Sequence, residues 1–260
     1  MSGGAIETTR TFGRILAAAV GLFGLLGLAG WIFGLATATG LGLGLSTMKV
    51  NTALCFIAAA AALALLGSDQ PGKRASARVL AAVVLAVAGA TLAEYLSGLD
   101  LGIDQLLFTD SLTAPEDAPG RMSAITAFNF VLFALAAMIP RRRVAAGDAA
   151  FTVLATIGLV AALVAAAGYL YETPLLYRPV AASSIAATTA IAFVLLFTGL
   201  ICMRPRLGIV SVLISSDAGG DFARRLLPLL VLLPFALGWL LLRGHLAGWY
   251  GAALTVALFA

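Results

Sequence analysis

The sequence predicts an all-α, polytopic transmembrane helical bundle of about eight spans, and three observations carry that prediction. Of 260 residues, 62% are hydrophobic and 11% charged, against roughly 45–50% and about 25% in soluble domains. The apolar residues fall in runs of membrane-crossing length, and most of the positive charge collects in alternate connections between them. The same composition excludes a disordered chain, which needs more charge and less apolar material. Two cysteines, Cys55 and Cys202, exclude a disulfide scaffold. The net charge of +4 does not point to nucleic acid, because the Lys and Arg residues sit between apolar runs and form no basic face.

A helix rising 1.5 Å per residue needs about 20 residues to cross about 30 Å of hydrocarbon. After a short N-terminal segment, 1–14, the first such run is 15–36. It is too long for the core of a signal peptide and leads into further spans, so it reads as a retained helix. Its Ala17, Gly21, Gly24, Gly27, Gly30 and Gly34 form small-residue spacing that serves either packing within the chain or a dimer face. The next runs are 50–66, 79–96, 122–139, 149–171, 181–203 and 226–242, and Pro228 and Pro234 permit a kink in the last of these. Before it, residues 207–214 read as a short interfacial helix in a loop that runs to Asp221. An eighth run, 246–260, has 15 residues and as a helix reaches only about 22 Å, so it is expected to continue past Ala260.

Of the 16 Lys and Arg residues, twelve fall on one side: Arg10, Arg14, Lys73, Arg74, Arg78, Arg141 to Arg143, Arg204, Arg206, Arg224 and Arg225. The other side receives Lys49, Arg121, Arg178 and Arg243. By the positive-inside rule the N-terminus and the basic loops of this multi-pass protein are cytoplasmic.

Three even-numbered spans open alike, with an apolar residue, three others, then Thr-Ala-apolar-x-Phe. They begin at Met48, Met122 and Ile185 and place Thr52, Thr126 and Thr189 before Phe56, Phe130 and Phe193. Each preceding span ends on an aromatic, Trp31, Tyr95 or Tyr169, lying 21, 31 and 20 residues before the corresponding Thr. The pattern reads as three parallel repeats of a helical hairpin, followed by a final hairpin that is incomplete.

The middle repeat carries the most polar outer loop, with Glu94, Tyr95, Asp100, Asp104, Asp110, Glu116, Asp117 and Arg121. Asp100 and Asp104 are four residues apart and share a face if the segment is helical, with Leu99, Ile103, Leu106 and Leu107 toward the membrane. That spacing predicts a helix lying on the outer surface. Its carboxylates suit a divalent cation or a cationic ligand; the plainer reading is an unliganded, solvated loop. Glu94, at the outer interface, is a candidate because burying a carboxylate in hydrocarbon is costly, although it can also reach headgroup water. Asn51 and Asn129 either line a shared polar cavity or bond between helices. The candidate ligand-binding set is therefore Glu94, Tyr95, Asp100, Asp104, Asn51 and Asn129.

A single histidine, His245, cannot supply bis-His haem ligation or a His-rich metal site. The chain also lacks a Walker loop, nucleotide fingerprint, zinc-protease helix or nucleophile elbow. No catalytic residue and no cofactor is expected; whether a metal binds stays open. A transporter or channel is the alternative class, since repeated hairpins can build a midplane site.

Four stretches carry a family resemblance: Gly98 through Phe108, Pro119-Gly-Arg-Met-Ser123, the three Thr-Ala-x-x-Phe openings, and Ser216 through Pro228. Together they resemble the N-terminal multi-pass membrane sensor region of bacterial sensor histidine kinases that contain PAS modules, and less often of diguanylate cyclases. The resemblance covers nearly the whole chain from about residue 15. It departs from the usual pattern at Ile125, where Asn51 stands in the first repeat. It implies a signal-input domain that transmits an extracytoplasmic or membrane stimulus to a cytoplasmic catalytic module. It also implies partners: the lipid bilayer, a second copy in a homodimer, and a response regulator reached through that module, with no nucleic acid. It carries over no ligand-binding residue.

Overall fold

The computed structural model describes residues 3–35, 47–111, 113, 118–141, 144–171, 173 and 184–249. Among them the chain is entirely helical: α1 (Gly3–Ile32), α2 (Val50–Leu66), α3 (Pro71–Ser97), α4 (Ala124–Met138), α5 (Ala145–Leu170), α6 (Ala187–Cys202), α7 (Gly208–Leu213) and α8 (Ala218–Leu246). Four of these, α1, α3, α5 and α8, are long and apolar enough to cross a membrane, while α2, α4 and α6 are shorter apolar helices. Most of the eighth predicted span, together with Glu116, Asp117, Arg142, Arg143 and Arg178, lies outside the described residues.

Helix ends differ from the apolar runs. α1 begins at Gly3 and α3 at Pro71, well before 15 and 79, because a helix continues through its charged end into the polar region. Hydropathy marks the hydrocarbon crossing, not the last hydrogen bond. α3 starts with proline at N1 and stops at Gly98, whose φ of 70° closes the helix. The loop read as running to Asp221 is also corrected: Asp217 accepts from the Gly220 amide at 2.7 Å and starts α8 at Ala218. The short helix expected near 207–214 is α7.

The first six helices form a closed ring. Each packs against the next, and α6 returns to α1, while α2, α4 and α6 also meet one another at the centre. The long helices present one stripe of small residues inward: Gly13, Ala17, Gly24 and Gly27 on α1, Ala77, Ala81 and Ala88 on α3, Ala155, Gly158 and Ala162 on α5. A Cβ on Gly24 would lie 2.8 Å from the Ala53 carbonyl oxygen, and one on Gly13 3.1 Å from that of Gly199. The glycine stripe of α1 is thus used on α2 and α6 within the chain. Large residues point outward instead, among them Ile15, Leu22, Leu26, Val79, Val83, Val153 and Val160. Small inside and large outside is the surface expected of a protein solvated by hydrocarbon, where close backbone approach, not removal of oil from water, holds helices together.

At the centre Phe56, Phe130 and Phe193, all fully buried, meet with ring centroids 4.7–4.8 Å apart. At the N-terminal ends of α2, α4 and α6 three side chains make one kind of bond. Trp31 Nε1 donates to the Met48 carbonyl at 2.8 Å, the Tyr95 hydroxyl donates to that of Met122 at 3.2 Å, and the Tyr169 hydroxyl donates to that of Ile185. Each closes the gap between a long helix and the short helix that follows. Cys55 and Cys202 are both buried and free.

Candidate functional site

The polar residues of the outer loop converge because α3 delivers Glu94 on its buried stripe, one turn past Thr91. Glu94 Oε1 accepts from the Leu101 amide at 2.8 Å, and Oε2 faces Arg121 Nε at 3.3 Å. Arg121 Nε donates to Asp104 at 2.6 Å, and its Nη2 lies 3.9 Å from Asp100. The guanidinium also sits over the Tyr95 ring, 5.7 Å from its centroid. One arginine therefore answers three carboxylates whose oxygens lie within 4.8 Å of one another. The spacing that suggested a bound cation is bridged by the chain's own guanidinium, which a divalent ion would have to displace.

No surface helix forms over this loop. Gly98 and Gly102 hold φ of 70° and 69°, and the Asp100 carboxylate takes the Gly102 amide at 2.8 Å, a local turn that competes with helical bonding. Asp100 and Asp104 consequently do not share a face: their side chains are 81% and 9% exposed. Leu99, Leu106 and Leu107 are exposed, as a segment resting at an interface requires.

A second hub, not anticipated from the sequence, fastens the loop to α2. The Asp110 side chain accepts from Lys49 Nζ at 2.6 Å, from the Thr113 hydroxyl at 2.8 Å and from the Gly120 amide at 2.9 Å. Gly120 is required there, since φ is 77° and a Cβ would lie 2.5 Å from the Asp104 carbonyl oxygen. Asn51 adds a bond from Nδ2 to the Ile103 carbonyl at 2.9 Å. Asn129 behaves differently: it is fully buried and its Nδ2 bonds back to Ile125 on its own helix. The two asparagines are thus not brought to one cavity. Lys49 was legible as the lone cation before α2, but nothing in its spacing paired it with a residue 61 positions on.

Electrostatics divides the carboxylates. Burial pushes Asp104 above the ordinary carboxylate range, helped by Glu94 and Asp100, although Arg121 pulls it down. Burial would also raise Asp110, but its bonds from Lys49, Gly120 and Thr113 outweigh that and hold it at about 2. A depressed carboxylate contributes stability that is complete above its ordinary value and lost as pH falls through the folded one. Hydrogen exchange at the Gly120 and Thr113 amides is therefore expected to stay slow on acidification to about pH 4 and to rise as pH approaches about 2. In Asp110→Asn the exchange should be fast throughout; slow exchange in that variant would remove Asp110 as the fastener.

Comparison with known proteins returns no matching family model, no matching curated protein and no matching solved structure.

Proposed function

We propose that this chain is a membrane-embedded signal-input domain of the bacterial sensor-kinase type. In this reading it consists of three helical-hairpin repeats around the Phe56–Phe130–Phe193 contact and a final hairpin that begins with α8. It lies in the inner membrane with its N-terminus cytoplasmic, works as a homodimer, and acts on a response regulator through a cytoplasmic catalytic module. The three aromatic-to-carbonyl bonds and the three phenylalanines, recurring at matched positions, support the repeats. The family resemblance described above supports the input role.

The observation that carries the proposal is the contrast between the six-helix body and α8. The body is closed on itself, whereas within α8 only Gly220 and Gly244 are buried. Tyr171, at the end of α5, reaches across to it: the hydroxyl donates to the Phe235 carbonyl at 3.1 Å and the ring stacks on Phe235. Pro228 and Pro234 leave two backbone bonds unmade near this contact. Among the described long helices, α8 is thus the one whose position can change at least cost to packing. A stimulus that binds one position of α8 better than another shifts that equilibrium by its differential affinity.

Spin labels at exposed Leu233 on α8 and Val160 on α5, with a control pair at Val160 and Leu22, test this in lipid nanodiscs. Tyr171→Phe is expected to broaden or shift the first distance and leave the control unchanged; an unaltered first distance would sink the moving-helix reading. Orientation is tested by reporter fusions: those after Asp69 and after Arg206 should read cytoplasmic and one after Asp110 external. A cytoplasmic signal at Asp110 overturns the orientation. The alternative, a transporter or channel, has against it the three rings filling the centre of the body; substrate-dependent uptake into proteoliposomes would restore it.

A further inference from the structure

At the opposite end of the bundle from the acidic loop lies a cavity of about 510 Å³. Five arginines line it, Arg10, Arg74, Arg141, Arg204 and Arg206, against two carboxylates, Asp69 and Asp148. Asp69 is shared by three of them, at 3.6 Å from Arg10, 2.9 Å from Arg74 and 3.6 Å from Arg141. Asp148 lies 3.7 Å from Arg204.

Positive charge at this end would ordinarily be read as an anchor reaching outward to lipid headgroups. Four of them turn inward instead, Arg204 buried and Arg10, Arg74 and Arg141 partly buried, while Arg206 is exposed. The Arg204 side chain is 8% exposed, stacks over Phe151 at 4.2 Å and donates to the Ile139 carbonyl at the end of α4. Arg141 donates to the Met203 carbonyl at the end of α6 at 2.5 Å and is 21% exposed. Capping helix ends in this way engages one nitrogen of each guanidinium. What remains is not satisfied: Arg10 Nε and Arg204 Nη1 are buried with no hydrogen-bond partner among the described residues. Buried donors without acceptors are costly, and burial together with Arg10 and Arg74 brings Arg141 down to about 10. An anion entering the cavity would relieve both conditions.

We infer that this cavity is a binding site for a phosphate group, held by Arg10, Arg141 and Arg204. Guanidinium forks match phosphate oxygens in pairs and tolerate burial better than ammonium groups. The phosphate can belong to an anionic lipid headgroup, entering from the interface, or to a soluble phosphorylated compound. Asp69 competes with it for Arg10 and Arg141. The inference does not depend on the signalling role proposed above, nor on which side of the membrane this end faces.

The test uses the full chain in nanodiscs, once in zwitterionic phosphatidylcholine alone and once with phosphatidylglycerol added, with pyrophosphate as the soluble probe. Saturable stabilisation by pyrophosphate in the zwitterionic discs supports a soluble source. Stabilisation by phosphatidylglycerol without a pyrophosphate effect supports a headgroup. In either case Arg10→Gln and Arg141→Gln should weaken the effect about tenfold each, the loss expected for one charge-assisted hydrogen bond. Arg225→Gln, exposed on α8, should leave it unchanged. Asp69→Asn should strengthen binding, a direction that damage to the fold would not produce. Absence of both effects, or equal loss in Arg225→Gln and Arg141→Gln, overturns the site.

Discussion

Replacing Arg121 with alanine is expected to destabilise the protein by about 3–5 kcal/mol, the cost of removing one partner from a buried ion pair. Glu94 and Asp104, at 0% and 9% side-chain exposure, would then face each other without the guanidinium. Thermal unfolding in nanodiscs reads the loss. Arg121→Lys should recover only part of it, because a point charge cannot address Glu94 and Asp104 together as the planar fork does. Glu94→Gln in the Arg121→Ala background should be less harmful than Glu94→Gln alone, since the charge it removes is already unpaired. Asp100→Asn should change little, because that carboxylate is exposed. Calcium should stabilise Arg121→Ala and not the parent, since three carboxylate oxygens within 4.8 Å are then left to it. A loss within about 0.5 kcal/mol of zero, the range of ordinary surface changes, would show that the arginine does not organise the loop.

The second large effect is expected at the centre. Phe130→Ala should cost about 3 kcal/mol or more, because Phe130 is fully buried and meets both Phe56 and Phe193 edge-on. In hydrocarbon the ring gains little by leaving lipid, so the loss is one of contacts and of aromatic pair geometry. Phe56→Ala and Phe193→Ala should cost about as much if the three positions are equivalent. Phe130→Leu should be milder, as it keeps most of the volume. Unfolding midpoints measured side by side decide it: three similar losses support the threefold arrangement, and an unaffected Phe193→Ala would break it.

Apolar runs of membrane-crossing length made the helices legible. The stripe of small residues on α1 is visible in the sequence, as are the proline that opens α3 and the glycine after it. The matched positions of Phe56, Phe130 and Phe193 were visible too, and so was the short helix α7. The candidate site was legible in part: Glu94, Tyr95, Asp100 and Asp104 do converge around one group, and Asn51 does touch the same loop. The expected surface helix does not form because Gly98 and Gly102, both at positive φ, break the four-residue spacing that Asp100 and Asp104 fit.

The sequence by itself determined the helical class, the apolar faces and the segregation of charge, because these follow from local periodicity and from the cost of burying charge in hydrocarbon. Only the tertiary structure decided that Arg121 bridges three carboxylates, that Lys49 fastens Asp110, and that Arg10, Arg74, Arg141 and Arg204 turn inward around one cavity. Each of those pairings joins residues far apart in the chain. Their partners are chosen by which helix ends the closed ring brings together, a property of packing that no local pattern encodes.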